Sequence, residues 1–242
     1  MHKKSENEMS AESKRELLLS SENVGVSFSI KKGNKEKVKF WAIRGIDIDI
    51  FSGDVLGIVG RNGSGKSTFA RLLAGIYEPS EGKITRNVEP TLLSLGTGFN
   101  TALTGRQNIY LNGAYHQMSR RRIALIEKDI IEFAELEDFI DIPIKHYSSG
   151  MRARLGFSIA AFQKPRLLIL DEVLSTGDRF FRSKATKKVK DMMDEADAVI
   201  VVSHQDNTIL ELCNTAILLE KGQPLDRGNP EDILQTYQSL AK

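Results

Sequence analysis

One cysteine stands among 242 residues, so no disulfide can form within the chain, and that residue, Cys213, has apolar neighbours in Ile209, Leu212 and Ile217. A lone thiol in such surroundings reads as a buried, inert side chain in a reducing compartment. Long apolar runs are also missing: no stretch approaches the roughly 20 residues that a membrane-spanning helix needs. The polar opening MHKKSENEMSAESKRE lacks the apolar region of a secretory signal. Charge of one sign is scarce, because 34 basic residues stand against 32 acidic ones, for a net charge of +2. No basic block is long enough to act as a nucleic-acid arm, so no nucleic-acid partner is expected. Internal repeats and low-complexity segments are absent too. What remains, 40% hydrophobic and 27% charged residues, is the composition of an ordinary globular chain.

The first 21 residues are expected to form a flexible extension, with regular structure starting where Val24, Val26 and Phe28 alternate with polar or small residues. Lys31 to Lys37 reads as a turn and Ala42 to Phe51 as a strand. Val55 to Val59 is a short apolar run of the kind buried on both faces of a mixed or parallel sheet, and a helix is expected from Lys66. Between Arg120 and Glu137, Ile123, Ile126, Ile130, Phe133 and Leu136 recur at helical spacing. Further helices are expected from about Arg152, around Ser183 to Met193 and near Pro230, with strands at Leu167 to Leu170 and Ala198 to Val202. Alternation of strand and helix implies an α/β fold, a mixed or parallel β core flanked by helices with an antiparallel β part. The mostly helical stretch from about 100 to 162 interrupts that alternation and is expected to be an inserted helical lobe of one domain spanning 22–242.

Gly60-Arg61-Asn62-Gly63-Ser64-Gly65-Lys66-Ser67, followed by Thr68, fits the phosphate-binding loop pattern and lies between a buried strand and a helix, as the mechanism requires. Glycines let the backbone N–H groups approach phosphate oxygens, the helix N-terminus adds positive potential, and Lys66 reaches the outer phosphates of ATP. Ser67 is a candidate Mg²⁺ ligand. The apolar strand Leu167 to Leu170 ends in Asp171-Glu172, at the edge where ligands gather in open α/β sheets. Taken alone, such a pair is most often a solvated turn; with the phosphate loop upstream, Asp171 becomes a Mg²⁺ ligand and Glu172 the base that orients and deprotonates the attacking water.

Tyr147-Ser148-Ser149-Gly150-Met151, before an Arg-rich helical stretch, resembles the signature motif of the ABC family, usually Leu-Ser-Gly-Gly-Gln. The resemblance extends over nearly the whole chain after residue 22 and includes Asp178, in the loop after the carboxylates, and His204, after the strand Ala198 to Val202. It implies an ATPase in which two copies close head to tail around two ATP molecules. Each site would then combine Lys66, Asp171, Glu172 and His204 of one chain with Ser148, Ser149 and Gly150 of the other. His204 would contact the γ-phosphate. Trp41 lies where the family places an aromatic that stacks on adenine, and its other reading is a core tryptophan.

Three details point to a branch: Tyr-Ser-Ser-Gly-Met at 147–151, Leu-Thr-Gly-Arg at 103–106 followed by Asn108, and Asp-Glu-Val-Leu-Ser-Thr-Gly-Asp at 171–178. They resemble the ATPase subunits of O-antigen, capsular polysaccharide and teichoic acid exporters, as does the run from Asp141 through Phe157. That likeness implies a separate transmembrane permease, a lipid-linked glycan handled mainly by the permease, and a peripheral location on the cytoplasmic face of a bacterial inner membrane. Residues near Phe99 to Tyr110 would form the groove for the permease. Two departures from the wider family accompany the likeness. No glutamine lies between Leu92 and Thr104, where Gly96-Thr97-Gly98-Phe99 stands instead, and Ser175-Thr176-Gly177-Asp178 replaces the commoner Ser-Ala-Leu-Asp. Few residues follow the helix near Pro230, so glycan recognition is expected elsewhere. The alternatives are the ATPase of a lipid, drug or peptide exporter and a soluble ABC ATPase without a membrane partner.

Overall fold

A computed structural model describes residues 15–32, 36–93, 98–115, 118–171 and 179–240. The chain divides into two compact units, one made of residues up to Pro90 and from Asp197 onward, the other of Thr91–Ala196. In the first unit β1 (Leu17–Lys32) and β2 (Glu36–Phe51) form a long antiparallel ribbon. β3 (Val55–Val59) leads into α1 (Lys66–Leu73), and β4 (Glu81–Arg86) pairs with β1 to complete a three-stranded sheet.

β1 starts earlier than the alternation of Val24, Val26 and Phe28 indicates. Residues 17–21 belong to the strand rather than to a flexible extension, and Leu18 and Leu19 are both fully buried. The register shifts between Leu17 and Leu19, so two successive side chains are buried and the period-2 signal is lost at that point. Residues 1–14 lie outside the described residues.

The second unit runs through β5 (Pro90–Leu93), α2 (Gly105–Tyr115), α3 (Arg120–Ala134), α4 (Ser149–Ala161), β6 (Leu167–Asp171) and α5 (Arg179–Glu195). Its helices enclose a core in which Ile123, Ile126, Ile130 and Leu136, read from helical spacing, are joined by Ile109, Ile144 and Leu155 from other elements. Phe133 sits beside that stripe in its own aromatic cluster, with ring centroids 6.0, 5.8 and 5.9 Å from those of Phe157, Phe162 and Phe181. The Ser119 side chain caps α3 by accepting from Arg122 N–H. The helix ends three residues short of Glu137, because Glu135 takes the left-handed conformation (φ 56°).

Returning to the first unit, the chain forms β7 (Ala198–Val202), α6 (Asp206–Leu212), β8 (Thr215–Glu220), β9 (Gln223–Gly228) and α7 (Pro230–Ser239). β3 pairs in parallel with both β7 and β8, while β9 runs antiparallel to β8. β3 therefore sits between two strands, which is why its five residues carry no polar side chain. Among the described residues no helix is long and apolar enough to cross a membrane.

Candidate nucleotide-binding site

The phosphate-loop residues leave the end of β3 and enter α1 under tight steric control. A Cβ at Gly60 would lie 2.3 Å from the Leu219 carbonyl oxygen and 2.5 Å from Ser64 Oγ, so only glycine fits. Gly65, the N-cap of α1, holds φ at 104° and offers no side chain to the first N–H groups of the helix, which suits an anion ligand. Lys66 is buried, and its ammonium donates to the carbonyls of Gly60 at 2.7 Å and Arg61 at 3.0 Å. Ser64 Oγ is buried with no hydrogen-bond partner among the described residues. A loop this closely wound, with an unsatisfied hydroxyl and a lysine folded over it, fits a phosphate group.

β2 brings Trp41 beside this loop. The carbonyl of Ala42 lies 2.6 Å from where a Gly65 Cβ would sit, so the residue after Trp41 touches the start of α1. The indole is half-buried, with Lys39 Nζ 4.1 Å and the Arg44 guanidinium 4.7 Å from its ring centre. His204 follows β7 and is exposed. Because Ile58 pairs with Val202 in parallel register, His204 lies at the same end of the sheet as Gly60.

In the second unit, β6 is buried along its first four residues and delivers a partly exposed Asp171 at its end. Glu172 and Asp178 lie outside the described residues, as do Gly96 and Thr97. Ser148, Ser149 and Gly150 are exposed at the start of α4, where Ser148 Oγ accepts from Met151 N–H at 3.1 Å. Tyr147 anchors this turn. Its ring is buried, its hydroxyl donates to the Phe139 carbonyl at 2.7 Å, and burial raises its pKa above the ordinary phenol value. Arg152 donates to the Tyr147 carbonyl at 2.7 Å and fixes the turn from the other side.

Two arrangements in this unit were not readable as chemistry from sequence. Asn108, which marked the branch, is fully buried; its amide nitrogen donates to the Asn100 and Thr104 carbonyls at 3.0 and 2.9 Å, and its oxygen accepts from Asn100 N–H at 2.9 Å. It ties the loop before α2 to the helix. Arg106 forms a bidentate pair with Asp141 at 2.7 and 3.0 Å and also bonds Glu127, whose other oxygen accepts from the Tyr110 hydroxyl at 2.6 Å. A groove of about 530 Å³ beside this cluster is lined by Arg106, Tyr110, Ala114, Met118 and Ile123. Only contacts between residues 21 and 35 apart could have revealed the cluster.

Together, the mixed sheet and the loop at 60–67 define a phosphate-loop nucleotide-binding protein. A family profile described as ABC transporter matches residues 43–175. The ABC transporter protein AbcA of Aeromonas salmonicida is 42% identical over 202 residues, which cover 83% of this chain and 66% of that protein. The teichoic acids export ATP-binding protein TagH of Listeria monocytogenes serotype 4b is 33% identical over 240 residues, covering 94% of this chain and 72% of that protein. The chain thus spans about two thirds of the length of these relatives. A dimeric ATP-binding cassette, solved in a post-hydrolysis state bound to ADP and Pi, shares the fold with a TM-score of 0.69 over 88% of this chain and 99% of its own, at 20% identity. This chain belongs to the ABC transporter family as an ATP-binding subunit related to the polysaccharide exporter branch.

Proposed function

We propose that the chain is the ATP-hydrolysing motor of an exporter that moves a lipid-linked polysaccharide, of the O-antigen, capsule or teichoic acid type, across a bacterial cytoplasmic membrane. The loop at 60–67 carries the nucleotide part of this reading, through its close-packed glycines, buried Lys66 and unsatisfied Ser64 hydroxyl. The relatives' names support the polysaccharide part.

In this reading the loop N–H groups and Lys66 hold the β- and γ-phosphates, and Trp41 stacks on adenine. Ser67 supplies a hydroxyl and Asp171 a carboxylate to a nucleotide-bound Mg²⁺, a cation that is commonly held by one or two carboxylates plus phosphate oxygens. When bound, Mg²⁺ neutralises charge that develops on the transferred phosphoryl group. Glu172 takes a proton from the attacking water, and His204 holds that water and the γ-phosphate in line. Ser148, Ser149 and Gly150 of a second copy, at the exposed start of α4, complete the phosphate site, and Asp178 joins the two copies. A separate transmembrane permease docks on the groove over α2 and α3 and handles the glycan, which puts this subunit on the cytoplasmic face of the membrane.

The test is light scattering of Glu172→Gln with and without Mg-ATP, beside ATP hydrolysis by the unmodified protein. Hydrolysis, with an ATP-dependent dimer of the variant, is the expected result. A protein that hydrolyses nothing and a variant that stays monomeric, both with the permease present, would overturn the two-site mechanism.

A further inference from the structure

We propose that Arg44 is a positioning residue whose side chain holds the base-stacking tryptophan in place on a strand tied to the phosphate loop. The inference rests on the reading that nucleotide binds at 60–67 with its base on Trp41.

Arg44 reaches both ends of that site from one position on β2. Its backbone N–H donates to the Gly222 carbonyl at 2.7 Å, and Gly222 N–H donates in turn to the Ser64 carbonyl at 3.0 Å, inside the phosphate loop. Gly222, in the turn between β8 and β9, also lies against β2, since a Cβ there would be 2.7 Å from the Ala42 carbonyl oxygen. The strand carrying Trp41 and the loop carrying Lys66 are therefore joined through one turn.

The side chain of Arg44 works on the indole. Its guanidinium carbon lies 4.7 Å from the Trp41 ring centre, and its Nε and one terminal nitrogen donate to the two oxygens of Glu81 at 2.7 and 3.4 Å. Glycine at position 25 allows this grouping, because a Cβ there would meet the Trp41 ring at 2.9 Å and the Glu81 side chain at 3.0 Å. Half of the Arg44 side chain is exposed, so its ion pair with Glu81 is screened and adds little stability. Its use is orientation: a planar fork held by a carboxylate keeps the guanidinium over the indole, which a flexible ammonium does less well. An indole held in place in advance loses less rotamer freedom when a base stacks on it. Arg44 touches no phosphate-loop side chain in the described contacts, so its effect falls on base affinity and not on phosphoryl transfer.

Trp41 is the chain's sole tryptophan, so its emission reports on this position alone. The experiment compares the unmodified protein with Arg44→Met, Arg44→Lys and Glu81→Gln. ATP is titrated by tryptophan emission, KM and kcat are measured separately, and inorganic tripolyphosphate serves as a baseless competitor. Loss of one exposed cation–π contact should raise KM for ATP in Arg44→Met by roughly two- to fivefold. Unchanged kcat and tripolyphosphate inhibition are expected with it, and Arg44→Lys should recover only part of the loss. An unaltered KM in Arg44→Met overturns the proposal while leaving the nucleotide reading intact. Equal loss of ATP and tripolyphosphate affinity also overturns it, because that pattern marks a distorted loop. If ATP is hydrolysed without any change in the emission of the unmodified protein, the stacking role of Trp41 falls, and this proposal with it.

Discussion

The Lys66 ammonium is folded back onto the Gly60 carbonyl, at 2.7 Å, so the side chain that the reading assigns to phosphate also braces its own loop. Lys66→Ala therefore does two things. It removes the charge that would meet the outer phosphates, for which a loss of hydrolysis on the order of a hundredfold or more is expected. It also takes the ammonium donor from the Gly60 carbonyl and from the Arg61 carbonyl, which keeps only Ser64 N–H at 3.1 Å among the described residues, at a cost of about 1–3 kcal/mol. Hydrolysis assays and urea denaturation of the nucleotide-free protein measure the two effects separately. A variant that loses activity at unchanged stability would show that the brace is dispensable.

Ser148 likewise has a local task beside its proposed one, because its hydroxyl caps α4 through Met151 N–H. Ser148→Ala should cost about 1 kcal/mol through the lost cap. Ser148→Asp keeps a good cap but places a negative charge where the γ-phosphate of a second copy is proposed to bind. Thermal melting should show near-normal stability for the Asp variant, while light scattering should show no ATP-dependent dimer in the background of Glu172→Gln. An Asp variant that dimerises normally would remove Ser148 from the composite site.

The phosphate loop was legible in sequence because its function depends on backbone geometry, and backbone geometry restricts residue type; Gly60 and Gly65 leave no room for a Cβ. β3 and β7 were legible to the residue because strands covered on both faces carry only apolar side chains or glycine. β9 was not legible. Its sequence QPLDRG is almost wholly exposed, and its order comes from pairing with β8 rather than from any pattern of its own. The early start of β1 was hidden by the bulge between Leu17 and Leu19. Trp41 was singled out by the family resemblance, but its grouping with Glu81 depends on Gly25 and on β4, and only the folded sheet brings those together. For Glu172 and Asp178 the sequence reading stands by itself.

Arg106 holds three parts of the second unit at once, and its removal leaves Glu127, among the described residues, with the Tyr110 hydroxyl alone. Since the arginine is partly exposed, the loss expected for Arg106→Ala is about 1–2 kcal/mol. The pH dependence has a definite sign. The hydrogen bond from Arg106, with its positive charge, holds the Asp141 carboxyl below its ordinary pKa. Stability from that pair is present above the ordinary carboxylate value near 3.8 and is lost as the pH falls below it. Urea midpoints of the unmodified protein should therefore fall more steeply below about pH 4 than those of Arg106→Ala. Parallel curves would mean that the pair contributes nothing to the folded state.

Cys213 gives the most direct check on the packing of the first unit. Cys213 is half-buried rather than buried as its neighbours suggested; its sulfur lies 3.1 Å from where a Cβ on Gly57 would sit, so the thiol packs against the middle of β3, and desolvation there pushes its pKa up to about 12. At pH 8 the native protein should react slowly with a thiol-specific disulfide reagent, whereas the same protein in concentrated urea should react rapidly and fully. Linkage extends the expectation to alkaline pH. Below pH 9.0 the thiol is protonated in both states and has no effect; between 9.0 and about 12 the unfolded chain releases its proton first, so rising pH favours unfolding. The slope from this group approaches, at most, about 1.4 kcal/mol per pH unit. Subtracting the curve for Cys213→Ala removes the contributions of lysines and tyrosines that titrate in the same range. A difference that stays flat from pH 9 to 11, or a native thiol that reacts readily at pH 8, would place Cys213 outside the packed layer.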